Sequence, residues 1–468
     1  MPGFYVENFG CRATQADGAA LERQFEDRGL HRAPTAAEAS LVVLNTCTVT
    51  AGADQDARAA IRRVRRKNPE AKIIVTGCYA QRAPEEIAAL PGVNLVVGNS
   101  HKHQLAEIAS SAGSTLLSLP QLTENWELKT ENSIFVSDIF AHTELLAAPV
   151  FDAANERTRP NLKVQDGCDN RCSFCVIPYV RGQSRSLGME RVLKEVRTLV
   201  TAGYREVVIS GINLGRWGRD LSGSSQLSAV RNARQRLATS DQRLTRLIRA
   251  ILSGTALEKL RISSVEPMDW SDELISLAAS SPRIAKHAHV PMQSGSDAVL
   301  RRMHRKYRPW HYREKIEKIR SAMPDAAIGA DVMVGFPGET DSEFEATRRM
   351  IEELPFTYLH VFTYSPRPGT PAAEMKNQVP VHVARERNRI LREMAAEKKL
   401  AFVRSFVGRT VEAITLNVTG SDADGDFTEA LTDNYLKLRL RGKHEANRWM
   451  RASVEDVRDG ALVAISTL

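Results

Sequence analysis

Short apolar runs alternate with amphipathic helical stretches through most of this 468-residue chain, and that alternation limits the fold more than any other feature. The runs Phe4–Phe9, Leu41–Leu44, Ile73–Val75 and Leu95–Val97 have strand length, and helical patterns such as Asp17–Arg28 and Ala53–Lys67 lie between them. Strand–helix–strand repetition closes parallel pairings, so the N-terminal part reads as an open parallel α/β sheet with helices on its faces. A second series offers strands at Leu162–Gln165, Glu206–Ser210, Leu260–Ser263, Ala288–Pro291, Ile328–Val334 and Tyr358–Phe362. These βα units suggest a partial (β/α)6 barrel, with chemistry at the carboxyl ends of its strands. After about residue 402 the period shortens. Thr410–Thr415, Phe427–Leu431, Tyr435–Leu440, Trp449–Val454 and Ala461–Ile465 read as strands of a small all-β barrel. The expected fold class is therefore α/β with three domains, over 1–145, 155–398 and 402–468. Residues 110–158 give weak signals and read as a connection. The Arg- and Ser-rich stretch Ser222–Ser253 reads in part as an insertion.

Apolar residues make up 43% and charged residues 26%, a composition that excludes wholesale disorder, collagen and coiled coil. The net charge of +8 permits a nucleic-acid partner without demanding one. MPGFYVENFG has no basic leader and no long apolar core, and no run approaches the length of a membrane span, so no secretory signal and no membrane partner are expected. A cytoplasmic setting with reduced thiols follows. There, cysteines are more often metal ligands or catalytic groups than disulfides.

The chain has six cysteines. Cys168, Cys172 and Cys175 follow a strand with C-x3-C-x2-C spacing. Three thiolates on one short loop can hold three irons of a 4Fe–4S cluster and leave the fourth iron open. S-adenosylmethionine can chelate that open iron, and one-electron cleavage of its sulfonium bond gives a 5′-deoxyadenosyl radical. Zinc is the competing reading, but no fourth Cys or His lies nearby. Cys11, Cys47 and Cys78 each follow an expected parallel strand. Such strand ends face one crevice, so three thiols distant in sequence can converge on a second cluster. The alternative is three small core residues.

These cysteines sit in motifs that resemble the radical-SAM methylthiotransferase family. The motifs are Asn45-Thr-Cys47-Thr-Val, Thr76-Gly-Cys78, Gly167-Cys168-x3-Cys172-x2-Cys175, Pro178-Tyr-Val-Arg181-Gly, Ser264-Val-Glu266-Pro, Pro291-Met-Gln293-Ser-Gly-Ser296-Asp297 and Gly335-Phe-Pro-Gly-Glu339. The resemblance covers nearly the whole chain. It implies an N-terminal methylthiotransferase domain, a radical-SAM barrel and a C-terminal TRAM barrel. It also implies a transferase with two 4Fe–4S clusters and S-adenosylmethionine. Val164-Gln-Asp-Gly-Cys168, Thr46-Cys47-Thr-Val-Thr50 and Ser210-Gly-Ile-Asn-Leu-Gly215 are most similar to the branch that acts on N6-threonylcarbamoyladenosine beside a tRNA anticodon. The other branches act on N6-isopentenyladenosine or on a ribosomal-protein aspartate. A non-catalytic RNA-binding iron–sulfur sensor is the alternative of another class.

In the reaction implied, one S-adenosylmethionine methylates sulfur held at the Cys11/Cys47/Cys78 cluster. A second is cleaved at the Cys168/Cys172/Cys175 cluster, and the radical removes hydrogen from C2 of the adenine. That hydrogen is too weakly acidic for a side-chain base, and no catalytic side chain beyond the cluster ligands is expected. Asn213, Ser263, Glu266, Gln293 and Asp331 are the expected S-adenosylmethionine contacts. Each also reads as an ordinary loop residue or helix cap. Arg181 is expected to face a carboxylate or phosphate, or solvent. Phe174 reads as an apolar cover for the cluster. Thr14 stands where the family commonly has Asn. The expected partners are a tRNA anticodon loop, an electron-donor protein such as flavodoxin or ferredoxin, and a sulfur donor. Candidate RNA contacts are the basic helix Arg58–Lys67, the mixed stretch Arg301–Arg313 with Tyr307, Trp310 and Tyr312, and the patch Lys437, Arg439, Arg441 and Lys443.

Overall fold

The computed structural model describes residues 3–111, 133–142, 145, 159–223 and 242–467. Most of the connection expected over 110–158, and residues 224–241 of the expected insertion, lie outside the described residues. The chain divides into two compact units. One comprises Met1–Val150, Asn161–Leu187 and Ser365–Ala373; the other comprises Phe151–Pro160, Gly188–Tyr364 and Glu374–Leu468.

In the first unit β1 (Gly3–Asn8), α1 (Arg12–Glu26), β2 (His31–Arg32), β3 (Leu41–Thr46), α2 (Ala51–Lys67), β4 (Lys72–Gly77), α3 (Cys78–Arg82), α4 (Pro84–Ala88), β5 (Val93–Gly98), α5 (Leu105–Ser111) and β6 (Ser133–Phe135) follow in order. The sheet order is β2-β1-β3-β4-β5-β6, and every pairing is parallel. Alternate residues supply two cores, one on each face. Val42, Leu44, Ile73 and Val75 pack with Ile61 and Val64 of α2. Leu41, Val43, Ile74 and Leu95 pack with Leu21 and Phe25 of α1. Helices cover both faces, so the strands read as continuous apolar runs. β6 corrects the sequence reading, because it falls where a connection was expected; three residues among polar neighbours leave no periodic signal. This unit also holds β7 (Asn161–Asp166), α6 (Ile177–Arg181) and β8 (Arg185–Ser186), with β7 and β8 antiparallel through Gln165↔Ser186 and Asp166↔Arg185.

The second unit continues with α7 (Met189–Thr201), β9 (Glu206–Gly211), α8 (Arg243–Gly254), β10 (Lys259–Ile262), α9 (Asp272–Ser280), β11 (His287–His289), α10 (Asp297–Arg302), α11 (Pro309–Ala322), β12 (Ala327–Val334), α12 (Asp341–Glu353) and β13 (Tyr358–Thr363). β9 pairs parallel with β10, and β11, β12 and β13 pair parallel in that order. Isolated parallel bridges Leu260↔Ile284 and Ser264↔His289 join the two groups. Part of the Ser222–Ser253 region is ordinary helix, since Leu244, Leu247, Ile248 and Ile251 of α8 are buried. A long helix, Val381–Arg404, leads to β14 (Thr410–Asp422), β15 (Gly425–Thr432), β16 (Lys437–Arg441), β17 (Trp449–Arg458) and β18 (Ala461–Ser466). These five strands close a barrel in the order β14-β15-β16-β18-β17. Val403 and Phe406 join Leu438, Leu440, Val454 and Leu462 in its core. Arg261 anchors the barrel, donating to Glu206 at 2.6 Å and to the Asp433 carbonyl at 3.1 Å. Among the described residues no helix is long and apolar enough to cross a membrane.

Leu95 is fully buried in the α1-side core. Leu95→Ala is expected to lower the unfolding free energy by about 2–5 kcal/mol in chemical denaturation, and a loss below about 1 kcal/mol would contradict this packing.

Candidate iron–sulfur and cofactor site

The N-terminal sheet grows from β1 toward β2 on one side and toward β3 on the other. Loops leaving β1 and β3 therefore diverge, and a crevice opens beyond their carboxyl ends. Cys11 is the cap residue of α1, Cys47 directly follows β3, and Cys78 is the first residue of α3. Gly10 holds a φ of 98°, and a Cβ there would lie 2.6 Å from the Cys47 Cβ. Only glycine allows this approach. Cys47 and Cys78 are buried and Cys11 is exposed. Burial, together with the Cys78 thiol, pushes the Cys47 thiol up to about 12. Its proton is thus held tightly against water, and a bound metal cation would replace it. Thr14 Oγ1 lies 3.5 Å from Cys11 Sγ. Asn99 Nδ2 donates to Cys78 Sγ at 3.5 Å and to the Val180 carbonyl at 2.7 Å.

The second cysteine set lies in the same unit, on the loop between β7 and α6. The Cys168 amide donates to the Gly182 carbonyl at 3.1 Å, and the Cys175 amide to the Cys172 carbonyl at 3.1 Å. The Asn170 amide donates to Cys168 Sγ at 3.4 Å. Val176 and Val180 pack against Cys78, so the segment just beyond Cys175 touches the first set. Phe174 is half-buried. None of the six cysteines is in a disulfide. Among the described residues no group of three or more His, Cys, Asp or Glu closes on a single metal ion. In a 4Fe–4S cluster each thiolate takes a different iron, so its sulfurs stand further apart than around zinc. Each set supplies three thiols, the number of protein ligands that leaves one iron of such a cluster open.

Buried charges join the two sets. Asp17 of α1 accepts from Lys102 at 3.1 Å and Arg181 at 3.0 Å, and also from Lys163. Asp166 accepts from Lys163 at 2.7 Å and from Arg181 at 3.0 Å. Burial alone would raise the Asp17 carboxyl, but Lys102, Lys163 and Arg181 outweigh it and hold the group at about 2. Burial would raise the Asp166 carboxyl as well, but Arg181, Lys163 and Arg185 hold it well below the usual range. Arg181 faces two carboxylates, which removes its solvated reading. A second network follows Cys47. Arg367 Nη1 donates to the Thr48 carbonyl at 3.1 Å and to Asp54 at 2.8 Å, while Arg82 reaches Thr48 Oγ1 at 2.8 Å and Asp54 at 3.0 Å.

In the second unit Asn213, Ser263, Glu266 and Gln293 follow the carboxyl ends of β9, β10 and β11, and Asp331 lies within β12. Asn213 is buried just past β9 and Ser263 just past β10. Ser263 Oγ and Ser210 Oγ are buried and meet no hydrogen-bond partner among the described residues. Two such hydroxyls at adjacent strand ends fit a polar ligand. Glu266 is held by Arg305 at 2.8 Å. Arg216, on the turn after Asn213, pairs with Asp269 at 3.1 Å, and a Cβ on Gly215 would lie 2.4 Å from the Asp269 Cβ. The loops carrying Asn213 and Glu266 are thereby packed together. Gln293 has a φ of 62° and donates its amide to the Asp331 carbonyl at 2.8 Å. The Asp331 carboxylate lies 3.4 Å from His289 Nε2, and His289 Nδ1 is 2.9 Å from Ser264 Oγ.

Arg305, His289 and Ser264 were not singled out as cofactor-site residues by sequence reasoning, nor were Asp17, Lys102, Lys163, Asp54 and Arg367. Lys163 does carry a signal, as a cation inside the apolar run Leu162–Val164. The mixed basic stretch needs correction. Tyr307 donates to the Met292 carbonyl at 2.7 Å and Tyr312 to the Val290 carbonyl at 2.7 Å, and both are fully buried. They are core anchors, and only Trp310 is exposed. Arg58 and Arg63 of the basic helix pair with Glu86 and Glu7. In the terminal patch Arg439, Arg441 and Lys443 pair with Asp459, Asp422 and Asp426 at 2.9–3.1 Å.

The depressed Asp17 pKa gives a signed prediction. The folded carboxyl, at about 2, lies below its ordinary 3.8, so its stabilisation is present above about pH 4 and lost as pH falls toward 2. The unfolding free energy from chemical denaturation should fall over that interval by more in the parent than in Asp17→Asn, by about 2 kcal/mol. Equal slopes would contradict the network.

Residues 3–98 match the Uncharacterized protein family UPF0004, and residues 162–351 match the Radical SAM superfamily. The chain is 36% identical to the threonylcarbamoyladenosine tRNA methylthiotransferase MtaB of Bacillus subtilis, over 93% of this chain and 90% of that protein. It is 31% identical to the tRNA-2-methylthio-N(6)-dimethylallyladenosine synthase of Endomicrobium trichonymphae, over 94% of each. Among solved structures, the radical S-adenosylmethionine methyltransferase TsrM from Kitasatospora setae covers 79% of this chain and 74% of its own, with a TM-score of 0.50 and 17% identity, a likeness of fold alone. With these relatives the sensor reading falls away, and the chain, an enzyme, belongs to the MtaB-type radical-SAM methylthiotransferase family.

Proposed function

We propose that this enzyme adds a methylthio group to C2 of N6-threonylcarbamoyladenosine next to a tRNA anticodon. The observation that carries the reading is the pair of three-cysteine sets in one compact unit, joined through Cys78, Val176 and Val180. Names of relatives support the branch: several at 33–36% identity over most of the chain are threonylcarbamoyladenosine tRNA methylthiotransferases. Relatives acting on dimethylallyladenosine are nearly as similar, so that nucleoside is the second reading.

On this reading Cys11, Cys47 and Cys78 hold one 4Fe–4S cluster, and Cys168, Cys172 and Cys175 hold another. When bound, the clusters and S-adenosylmethionine supply the electron, the radical and the methylated sulfur. The protein's part is position. Asn213, Ser263, Glu266, Gln293 and Asp331 bind and orient S-adenosylmethionine. Arg305 fixes the Glu266 carboxylate, and His289 fixes that of Asp331. The buried Cys47 and Cys78 keep water from the methylthio donor. We assign three domains: the N-terminal methylthiotransferase domain over 1–145, a partial (β/α)6 radical-SAM barrel over 155–398 and a TRAM barrel over 402–468. Arg62, Arg66, Lys67, Trp310 and Lys437 are exposed candidates for RNA contact. A cytoplasmic setting suits cysteines that form no disulfide, and a flavodoxin or ferredoxin suits the one-electron demand.

The test is mass spectrometry of tRNA nucleosides from a strain lacking the gene. The 2-methylthio-threonylcarbamoyl nucleoside should disappear and return with the parent gene. Cys47→Ala and Cys172→Ala should each restore under about 1% of it, since loss of a cluster ligand removes the chemistry outright. An unchanged level in the deletion strain would contradict the branch and direct attention to the dimethylallyl nucleoside.

A further inference from the structure

Three cations, Lys102, Lys163 and Arg181, are buried in the first unit against two carboxylates, Asp17 and Asp166. Arg185 stands a further 3.9 Å from Asp166. Among the described residues these charges do not cancel: three buried cations face two carboxylates. Burying such a surplus is unfavourable unless a negative group stands beside it.

Arg181 is the member with an unused donor. Its Nη1 donates to both Asp166 oxygens, at 3.0 and 3.1 Å, and its Nη2 donates to Asp17 at 3.0 Å. Its Nε–H is buried and meets no acceptor among the described residues. Arg181 is the last residue of α6, whose Val180, together with Val176 just before the helix, packs against Cys78. The Cys78 and Cys11 thiols act on its guanidinium, and the guanidinium acts on the Cys47 thiol. A cluster held by three thiolates is anionic, and more so once reduced. Its sulfurs accept N–H hydrogen bonds, and such bonds, with nearby positive charge, raise its reduction potential.

We propose that Arg181 is a positioning residue that donates its Nε–H to a sulfur of the cluster on Cys11, Cys47 and Cys78, and so raises the reduction potential of that cluster. This rests on the reading above that those cysteines hold one. The bond would satisfy the orphaned donor, and the anionic cluster would balance the buried positive surplus. Arg181 would then serve both cysteine sets, fixing the loop of one through Asp166 and tuning the other.

The experiment uses the full chain with Cys168→Ala, Cys172→Ala and Cys175→Ala, reconstituted anaerobically with ferrous iron and sulfide, so that only the auxiliary site can load. Its midpoint potential is read by redox titration followed by electron paramagnetic resonance. Arg181→Met should shift the potential downward, and Arg181→Lys should recover part of that shift, because it restores the charge but not the Nε donor. Lys102→Met removes a cation of the same network and leaves Lys163 and Arg181 on Asp17 and Asp166. It supplies the field arm if Arg181→Met does not fold, and it should give a smaller downward shift. Arg181→Lys with the parent potential and spectrum would overturn the proposal. A parent that retains no iron would instead refute the auxiliary cluster itself, and this inference with it.

Discussion

Asp17 projects from the first helix of the chain into a dry site where Lys102, Lys163 and Arg181 converge on it. Lys163 and Arg181 also hold Asp166, two residues before the first cysteine of the C-x3-C-x2-C loop. A carboxylate buried alone would be strongly unfavourable, and so would each cation. Together they are stable only in one arrangement, which fixes α1, α5's approach and the β7–α6 loop with respect to one another. The cysteines of both sets depend on that arrangement. Cys11 stands at the head of α1, and Arg181 closes the helix that follows Cys175.

The sheet supplies the other half of the site. Reversal of strand order between β1 and β3 opens a crevice, and Cys11, Cys47 and Cys78 lie at the ends of β1, β3 and β4 around it. Gly10 permits the first loop to lie against Cys47. Cofactor chemistry of this kind asks little of side chains as acids or bases. It asks that thiols, a sulfonium ligand and a base be brought together with water excluded, and buried ion pairs and close backbone contacts provide that rigidity.

Most of the strands were legible because parallel strands covered on both faces leave strong apolar runs, as in Leu41–Leu44 and Ile73–Val75. The cysteines were legible by spacing and by their position at strand ends. β6 was not, being a short strand with polar flanks. Tyr307 and Tyr312 misled, because an aromatic beside arginines looks the same in sequence whether it stacks on a base or caps a buried carbonyl. The Asp17 network was legible only in part. Lys163 stands out inside an apolar run and Arg181 has a carboxylate among its expected partners, but Asp17 and Lys102 are far from both in the chain and look like ordinary surface charges. Arg305 and His289 escaped likewise, since the carboxylates they stand against, Glu266 and Asp331, are distant in sequence.

The central claim is that each cysteine set holds its own cluster. Iron and sulfide analysis with Mössbauer spectroscopy on the anaerobically reconstituted chain tests it directly. The parent should hold about eight irons, and replacing either set of three cysteines by alanine should leave about four, all in 4Fe–4S form. A parent with only about four irons, or a triple variant that loses all of its iron while still folded, would contradict two independent clusters.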